Sequence, residues 1–277
     1  MKSIVWIASY PKSGNTWLRV FLANYISNPS EPLSINKLDY LNRIDADGRL
    51  YKLVSKEPYD GNNPIQSAQL RPAVLKTVVA NDADINFLKS HSRNSIAYGV
   101  RLIPPELTRC AIYIVRNPLD MVVSYANHYN ISIDKAISGI GRSNNALKGG
   151  TGTNNAYQFL GSWSDHVKGW AEAKDIPVMV VRYEDMLKNP YQAFQAVLRH
   201  IGLPVKREQL EKAIQFSNFE VLQQQEEKNG FKEAVKTQEL FFRSGKSEQW
   251  KTELNEDQVA QILQDHGRVM KKFGYEV

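Results

Sequence analysis

The sequence has little cysteine, no block of like charge and no long apolar run. Cys110 is the one cysteine in 277 residues, which excludes an intramolecular disulfide and a cysteine-rich zinc site and favours a reducing cytoplasm. No stretch reaches the roughly 18 apolar residues of a membrane-spanning helix, and the apolar run from Ile4 to Ala8 is too short for a signal-peptide core. The net charge of +6 suits an anionic ligand, but with no cluster of like charges it does not predict nucleic-acid binding.

The remaining composition is that of a folded chain. Hydrophobic residues make up 42% and charged residues 23%, which allows a sizeable core and argues against global disorder. There is no internal repeat and no low-complexity segment. The length fits one large α/β domain over residues 1–277.

The apolar pattern predicts strands alternating with helices. Short runs rich in β-branched residues predict buried strands over 3–8, 85–89, 110–115 and 178–181. Helical spacing predicts helices over 16–26, from about 119 onward, over 192–201 and over 257–273, whereas 28–84 is expected to form loops with short helices. This alternation predicts a mostly parallel central sheet flanked by helices, with ligands bound beyond the carboxyl ends of the strands.

The segment between the first strand and the first helix, Tyr10 to Trp17, has the features of a phosphate-binding loop. A helix N-terminus offers free N–H groups, and Gly14 lets the backbone approach an anion closely. Lys12 adds a positive charge, and Thr16 can donate its hydroxyl to a phosphate oxygen. In a Walker A loop the lysine follows the second glycine, whereas Lys12 precedes Gly14, and no acidic residue ends a neighbouring strand as a magnesium ligand.

A second anion site is expected after the strand over 110–115. Arg116 follows the strand end and Ser124 lies about two turns into the next helix. A guanidinium is a planar fork suited to a phosphate, and a hydroxyl adds one more donor. The residues alone leave open whether Arg116 pairs instead with a structural carboxylate such as Asp120.

At these motifs the chain resembles the PAPS-dependent sulfotransferases, which use 3′-phosphoadenosine 5′-phosphosulfate (PAPS). The family loop Pro-Lys-Ser-Gly-Thr-Thr-Trp cradles the 5′-phosphosulfate, and this chain carries Asn15 in place of the first Thr. The resemblance implies that the donor contacts the loop residues Lys12, Ser13, Gly14, Asn15, Thr16 and Trp17, and that Arg116 and Ser124 hold its 3′-phosphate.

Two further segments match the family downstream. Arg243, Ser244 and Gly245 resemble a segment that folds over the 3′-phosphate, with Ser244 in place of the family's Lys and Lys246 as a substitute from a shifted position. Tyr183, Ser217 and Phe219 resemble the residues near the base, and with Trp17 they would form an aromatic sandwich. The family implies PAPS as donor, 3′,5′-adenosine bisphosphate (PAP) as product and no metal.

His91, in the segment Lys89-Ser90-His91, is the candidate general base, since a neutral imidazole can take a proton from a hydroxyl near neutral pH. Lys12 and Lys89 would stabilise the charge that develops on the leaving group, with Ser124 completing the catalytic set. His128, one turn after Ser124, is the alternative base.

Two other functions stay open, a P-loop kinase acting on a small molecule and a nucleotide-binding protein without chemistry. The acceptor is expected to be a hydroxyl or amine of a small molecule, a glycan or a natural product. Residues 28–84 and 138–155 are expected to select it, and 138–155 and 228–249 are expected to act as mobile lids over the cleft. The oligomeric state is open, with a homodimer as one option.

Overall fold

The computed structural model describes residues 3–149, 154–234 and 240–275. Its strands are β1 Ser3–Ser9, β2 Ile85–Ser90, β3 Ile96–Ala97, β4 Val100–Arg101, β5 Thr108–Val115, β6 Ala146–Leu147, β7 Gln158–Phe159 and β8 Val178–Arg182. Its α-helices are α1 Asn15–Ser27, α2 Gly48–Val54, α3 Pro64–Val79, α4 Pro118–Tyr129, α5 Ile133–Gly141, α6 Trp163–Ala171, α7 Tyr183–Lys188, α8 Pro190–Ile201, α9 Arg207–Phe216, α10 Phe219–Asn229, α11 Trp250–Glu253 and α12 Glu256–Lys272. Short 3₁₀ helices lie at Asp39–Asn42 and Pro105–Leu107.

The central sheet has four parallel strands in the order β2-β1-β5-β8. The carboxyl ends of parallel strands meet at one edge, so the residues that follow β1, β2, β5 and β8 lie close together. These are the phosphate loop, His91, Arg116 and Tyr183. The four motifs predicted to bind the donor or to catalyse therefore begin at the same edge of the sheet.

Apolar layers cover both faces of this sheet. Ile4, Trp6 and Ala8 pack into one layer, whereas Val5 and Ile7 pack into the other, because side chains alternate between the faces of a strand. Helices α4, α6 and α12 pack on the first face, and α1, α8 and α9 on the second. The expected parallel sheet with helices on both faces is what the structure shows.

The segment 28–84 differs from the expectation of loops with short helices. Helix α3 has 16 residues, and it begins where the Asn63 side chain accepts hydrogen bonds from the N–H groups of Ile65 and Gln66. Pro64 at the first helical position has the backbone angle that a helix needs. Pro72 lies inside the same helix, and an internal proline normally predicts a helix end.

Part of the glycine- and asparagine-rich stretch 138–155 also has regular structure. Helix α5 continues to Gly141, with Ile137 and Ile140 buried, and β6 pairs with β7. The parts of the two expected lids at 150–153 and 235–239 lie outside the described residues. Within the ranges that the structure covers, no helix is long and apolar enough to cross a membrane.

Candidate active site

A cavity of about 1440 Å³ opens at the carboxyl ends of the central strands. Most of the residues proposed from the sequence line it. They are Lys12, Gly14, Asn15, Thr16, Trp17, Lys89, His91, Arg116, Ser124, Tyr183, Phe219, Arg243, Ser244 and Gly245. Ser13 and Ser217 are not among its lining residues.

The phosphate loop has the backbone that an anion site needs. Lys12 and Gly14 both have left-handed backbones, with φ of 67° and 99°. A Cβ atom at position 14 would lie 2.6 Å from Cδ2 of Tyr183, so only glycine fits there. Gly14 precedes helix α1 without a side-chain cap, which leaves the first N–H groups of the helix open to a ligand.

Several buried polar atoms around this loop have no partner among the described residues. They are Oγ of Ser13, Nε of Arg116 and Nε1 of Trp17. A buried donor without a partner is costly, and a polar ligand removes that cost. The side chain of Asn15 is engaged elsewhere, since it donates to the Ile7 carbonyl and accepts from Arg19. This set of free donors fits an anionic ligand.

Lys12 lies among cations in a desolvated position. Its Nζ is 3.5 Å from the ring centroid of Phe241, a cation–π contact. Burial, with smaller contributions from the charges of Arg116 and Lys89, lowers the pKa of Lys12 to about 7. An incoming anion would relieve this repulsion, so the site favours negative charge.

Arg116 joins three parts of the site. Its guanidinium donates to the carbonyl oxygens of Lys12, at 3.0 Å, and Lys246, at 3.4 Å, and lies 4.5 Å from the ring centroid of Tyr183. Asp120 does not pair with it, because that carboxylate accepts from the backbone N–H groups of Glu248 and Trp250. The pairing of Arg116 with Asp120, one of the two alternatives that the sequence left open, is therefore not found among the described residues.

Two buried carboxylates hold the segment 240–250 against the cavity. Glu226 accepts from the N–H groups of Phe241, at 2.6 Å, and Phe242, at 2.8 Å, and Asp120 holds the far end. Between them Gly245 packs so tightly that a Cβ atom would lie 2.3 Å from the ring of Phe219. Arg243 lines the cavity, whereas Lys246 is exposed and contributes its carbonyl to Arg116.

His91 has a defined tautomer. Its Nδ1 lies 2.8 Å from the carbonyl oxygen of Ser9. A carbonyl only accepts, so Nδ1 carries the proton and Nε2 keeps a free lone pair. Burial, followed by the charge of Lys89, lowers the pKa of His91 well below its usual value, so the ring is neutral at pH 7. A neutral imidazole with an unprotonated Nε2 can accept a proton as a general base.

An ion-pair network that the sequence did not predict lies beside His91. Glu233 accepts from Lys89 at 2.8 Å and from the fully buried Arg19 at 2.7 Å. Burial raises the pKa of Glu233, but the two cations outweigh it and hold that pKa below its usual value. The one sequence signal was Arg19 itself, a charge within the apolar helix α1.

The other residues predicted from the sequence differ in how they are placed around the cavity. Ser217 is fully buried and its hydroxyl donates to the carbonyl of Ala213, while its neighbour Asn218 lines the cavity. The Trp17 ring meets Tyr183 edge-on, with centroids 5.9 Å apart, so these two rings do not form a parallel sandwich. His128 lines the cavity with its ring 5.6 Å from Phe241, and Ser124 lines it from helix α4.

Comparison with known proteins identifies the family that shares these motifs. The family model described as Sulfotransferase domain matches residues 2–274. The chain belongs to the sulfotransferase family. Rat sulfotransferase 2A2 is 31% identical over 254 residues, which cover 88% of this chain and 76% of the relative. Rat sulfotransferase 1A1 is 28% identical over 222 residues, 79% of this chain and 66% of the relative, slightly less than two thirds of its length.

Two solved structures share the fold of this chain. Mouse sulfotransferase SULT7A1 complexed with PAP matches with a TM-score of 0.61 at 19% identity, covering 99% of this chain and 90% of that chain. Retinol dehydratase in a complex with retinol and PAP matches with a TM-score of 0.66 at 17% identity, covering 98% and 82%. The resemblance to the sulfotransferase family and the α/β fold expected from the sequence are confirmed.

The site of this sulfotransferase is built from cations and backbone donors. Over the described ranges, no group of three or more His, Cys, Asp and Glu side chains is arranged to hold a metal ion. The contacts of Asp120, Glu226 and Glu233 around the cavity could not be predicted from the sequence. Each of these residues acts through a partner more than ten residues away, which short motifs do not reveal.

Proposed function

We propose that this sulfotransferase moves the sulfuryl group of PAPS onto a hydroxyl or amine of a small-molecule acceptor, with His91 as general base. The observation that carries the proposal is the unprotonated Nε2 of a neutral His91 in the same cavity as Lys12, Lys89 and Arg116. A base and a cluster of cations are the two devices that sulfuryl transfer needs, one for the nucleophile and one for the leaving group.

The donor would occupy the half of the cavity around the phosphate loop. The open N–H groups of helix α1, Lys12 and Thr16 would bind the 5′-phosphosulfate. Arg116, with Ser124 and the segment carrying Arg243, would hold the 3′-phosphate. Trp17, Tyr183 and Phe219 would contact the base.

In the reaction His91 Nε2 takes the proton of the attacking hydroxyl while that oxygen forms its bond to sulfur. The bond between sulfur and the phosphate oxygen breaks, and its electron pair stays on the phosphate. Lys12 and Lys89 line the same cavity and would stabilise that charge. Glu233, 2.8 Å from the Lys89 ammonium, fixes the position of this cation.

The acceptor would bind in the other half of the cavity. Its wall is apolar and aromatic, with Val123, Tyr125, Tyr129, Ile131 and Leu147. The amide side chains of Asn154, Asn155 and Gln158 add polar groups to the cavity lining. We propose an acceptor with an apolar or aromatic body, which is a less polar molecule than the glycan considered from the sequence.

The domain organisation and the cellular location are part of the same proposal. Both apolar layers pack on one sheet, which supports a single domain. We also propose a cytoplasmic location, because a sequence with one cysteine has no disulfide framework of the kind that secreted domains use.

Titration calorimetry with Arg116→Ala tests the donor site. A hydrogen bond to a charged group contributes about 1.5–3 kcal/mol, so PAP should bind this variant roughly 10- to 150-fold more weakly. Adenosine 5′-phosphate lacks the 3′-phosphate, and its affinity should change little. Arg207→Ala, which removes an exposed arginine paired with Glu211, serves as the control and should bind PAP normally.

Two results would contradict the donor assignment. Equal losses for both nucleotides would show that Arg116 does not read the 3′-phosphate. Tight binding of ATP with magnesium, with no binding of PAP, would instead favour the small-molecule kinase.

A further inference from the structure

We propose that helix α6 positions the general base, through two side-chain N–H donors that hold the turn carrying His91. His166 Nε2 lies 3.0 Å from the carbonyl oxygen of His91, and Trp170 Nε1 donates to the carbonyl of Ser92 at 3.1 Å. The two donors are four residues apart on the helix, so they lie on one face and bind successive carbonyls. Neither residue lines the cavity, so they act through His91 rather than on a ligand.

The hydrogen-bond chain behind His91 fixes the proton positions. The His91 carbonyl only accepts, so His166 Nε2 carries the proton, and His166 Nδ1 must accept from the hydroxyl of Tyr113 at 2.9 Å. His91 in turn donates from Nδ1 to Ser9. Each of these donors thus has one acceptor. The chain from Tyr113 ends at the backbone carbonyl of His91, while the His91 ring makes its own bond to Ser9, which leaves its Nε2 with a free lone pair.

The contact between α6 and this turn is close. A Cβ atom at Gly169 would lie 2.6 Å from the Asn94 carbonyl oxygen, so the helix and the turn touch backbone to backbone. His166 is fully buried, and burial lowers its pKa to about 3, so it stays neutral. His91 itself follows the last residue of β2, one position beyond the paired register of β1 and β2. The two α6 donors therefore hold the turn at the point where the strand pairing ends.

The test compares His166→Leu, which removes the donor, with His166→Gln, whose side-chain N–H can reach the same carbonyl. His266→Leu is the matched control, since His266 is a buried neutral histidine that contacts Ser164 rather than the turn. We expect His166→Leu to lower kcat roughly 10- to 100-fold, the cost of misplacing a reacting group by about 1 Å, while the Kd of PAP stays within about twofold. His166→Gln should recover most of kcat, and His266→Leu should keep it.

The comparison of kcat values rests on the proposed function. A second measurement therefore uses a property that does not depend on activity. NMR of ¹⁵N-histidine-labelled protein, with His91→Ala for assignment, should show one Nδ1–H tautomer of His91 in the wild type and in His166→Gln. His166→Leu should add the Nε2–H tautomer. The charged and titratable groups that face this ring are Lys89, His166 and Glu233, and all but His166 are unchanged in the comparison.

Three results would overturn the inference. They are an unchanged tautomer in His166→Leu, an equal loss of kcat in His266→Leu, and a failure of His166→Gln to recover kcat. If His166→Leu does not fold, Trp170→Phe removes the other donor but keeps a ring, and an unchanged kcat in that variant contradicts the proposal. If the wild type transfers no sulfuryl group, the proposed function fails and the tautomer result still decides this inference.

Discussion

At the scale of single residues, Lys12 is the position where conformation and charge are both unusual. Its left-handed backbone, at φ 67°, costs of order 1 kcal/mol or more in a non-glycine residue. The hydrogen bond from Arg116 to its carbonyl helps to hold that backbone. Lys12 could be assigned from the sequence, because the loop motif is local. Its lowered pKa could not, because burial, Arg116 and Lys89 act on it only once distant segments have folded together.

The pKa of Lys12 predicts how donor binding depends on pH. With a pKa of about 7, the amine is half neutral at pH 7 in the free protein and mostly neutral at pH 9. Binding of an anion favours the protonated form, so the affinity for PAP should fall as pH rises, by roughly 10- to 50-fold between pH 7 and 9. Calorimetry across this range measures it.

Lys12→Arg is the control for that measurement. Arginine keeps its proton over the whole range, so this variant should show a nearly flat profile above pH 7. If the wild type and the variant lose affinity equally between pH 7 and 9, a group other than Lys12 titrates.

At the scale of elements, the segment 240–250 depends on two carboxylates from helices that are distant in sequence. Asp120 in α4 and Glu226 in α10 each accept two hydrogen bonds from its backbone. Asp120→Ala should therefore release the end near Glu248, and Glu226→Ala the end near Phe241. Each should weaken PAP binding by roughly tenfold, the equivalent of one charge-assisted hydrogen bond.

Asp134→Asn is the control for these variants, since Asp134 holds only an exposed contact with Gln258. Calorimetry should show PAP affinity unchanged in the control. Normal PAP affinity in both anchor variants would mean that the segment does not contribute to donor binding.

The elements themselves were largely predictable from the sequence. Helices α1, α8 and α12 begin and end within one or two residues of the predicted bounds, because their apolar period is regular. Helix α3 was not predicted, because Pro72 interrupts its helical pattern in the sequence. The helix forms nevertheless, since Asn63 caps its N-terminus and Pro64 suits its first position. The anchors at Asp120 and Glu226 were not predictable, because a carboxylate that binds a distant backbone leaves no local pattern.

At the scale of the whole molecule, the parallel sheet brings the four polar segments together, and the order of strands and motifs was enough to predict this. The pairing of Arg19 with Glu233 spans 214 residues and follows only from the folded chain. The same folding buries His166 and His266 and takes His91 largely out of water, which lowers the pKa of each ring.

These buried histidines predict acid sensitivity. The folded pKa of His266 is about 4 and the unfolded value about 6.5, so between these values the unfolded chain binds more protons and stability falls as pH falls. His266 alone should cost on the order of 2 kcal/mol of unfolding free energy between pH 7 and 5. Urea unfolding at both pH values measures this, and His266→Gln should lose less. An equal loss in wild type and variant would contradict the assignment to His266.

The most direct test of the central claim is sulfuryl transfer itself. Sulfur-labelled PAPS is incubated with a panel of phenols, sugars, lipids and glycopeptides, using the wild type, His91→Ala and His128→Ala. The wild type should label at least one acceptor, and His91→Ala should lower kcat by roughly 10²- to 10⁴-fold with little change in PAP affinity. His128→Ala should have a modest effect. Transfer by His91→Ala at the wild-type rate would contradict the account, as would a wild type that binds PAP and labels no acceptor.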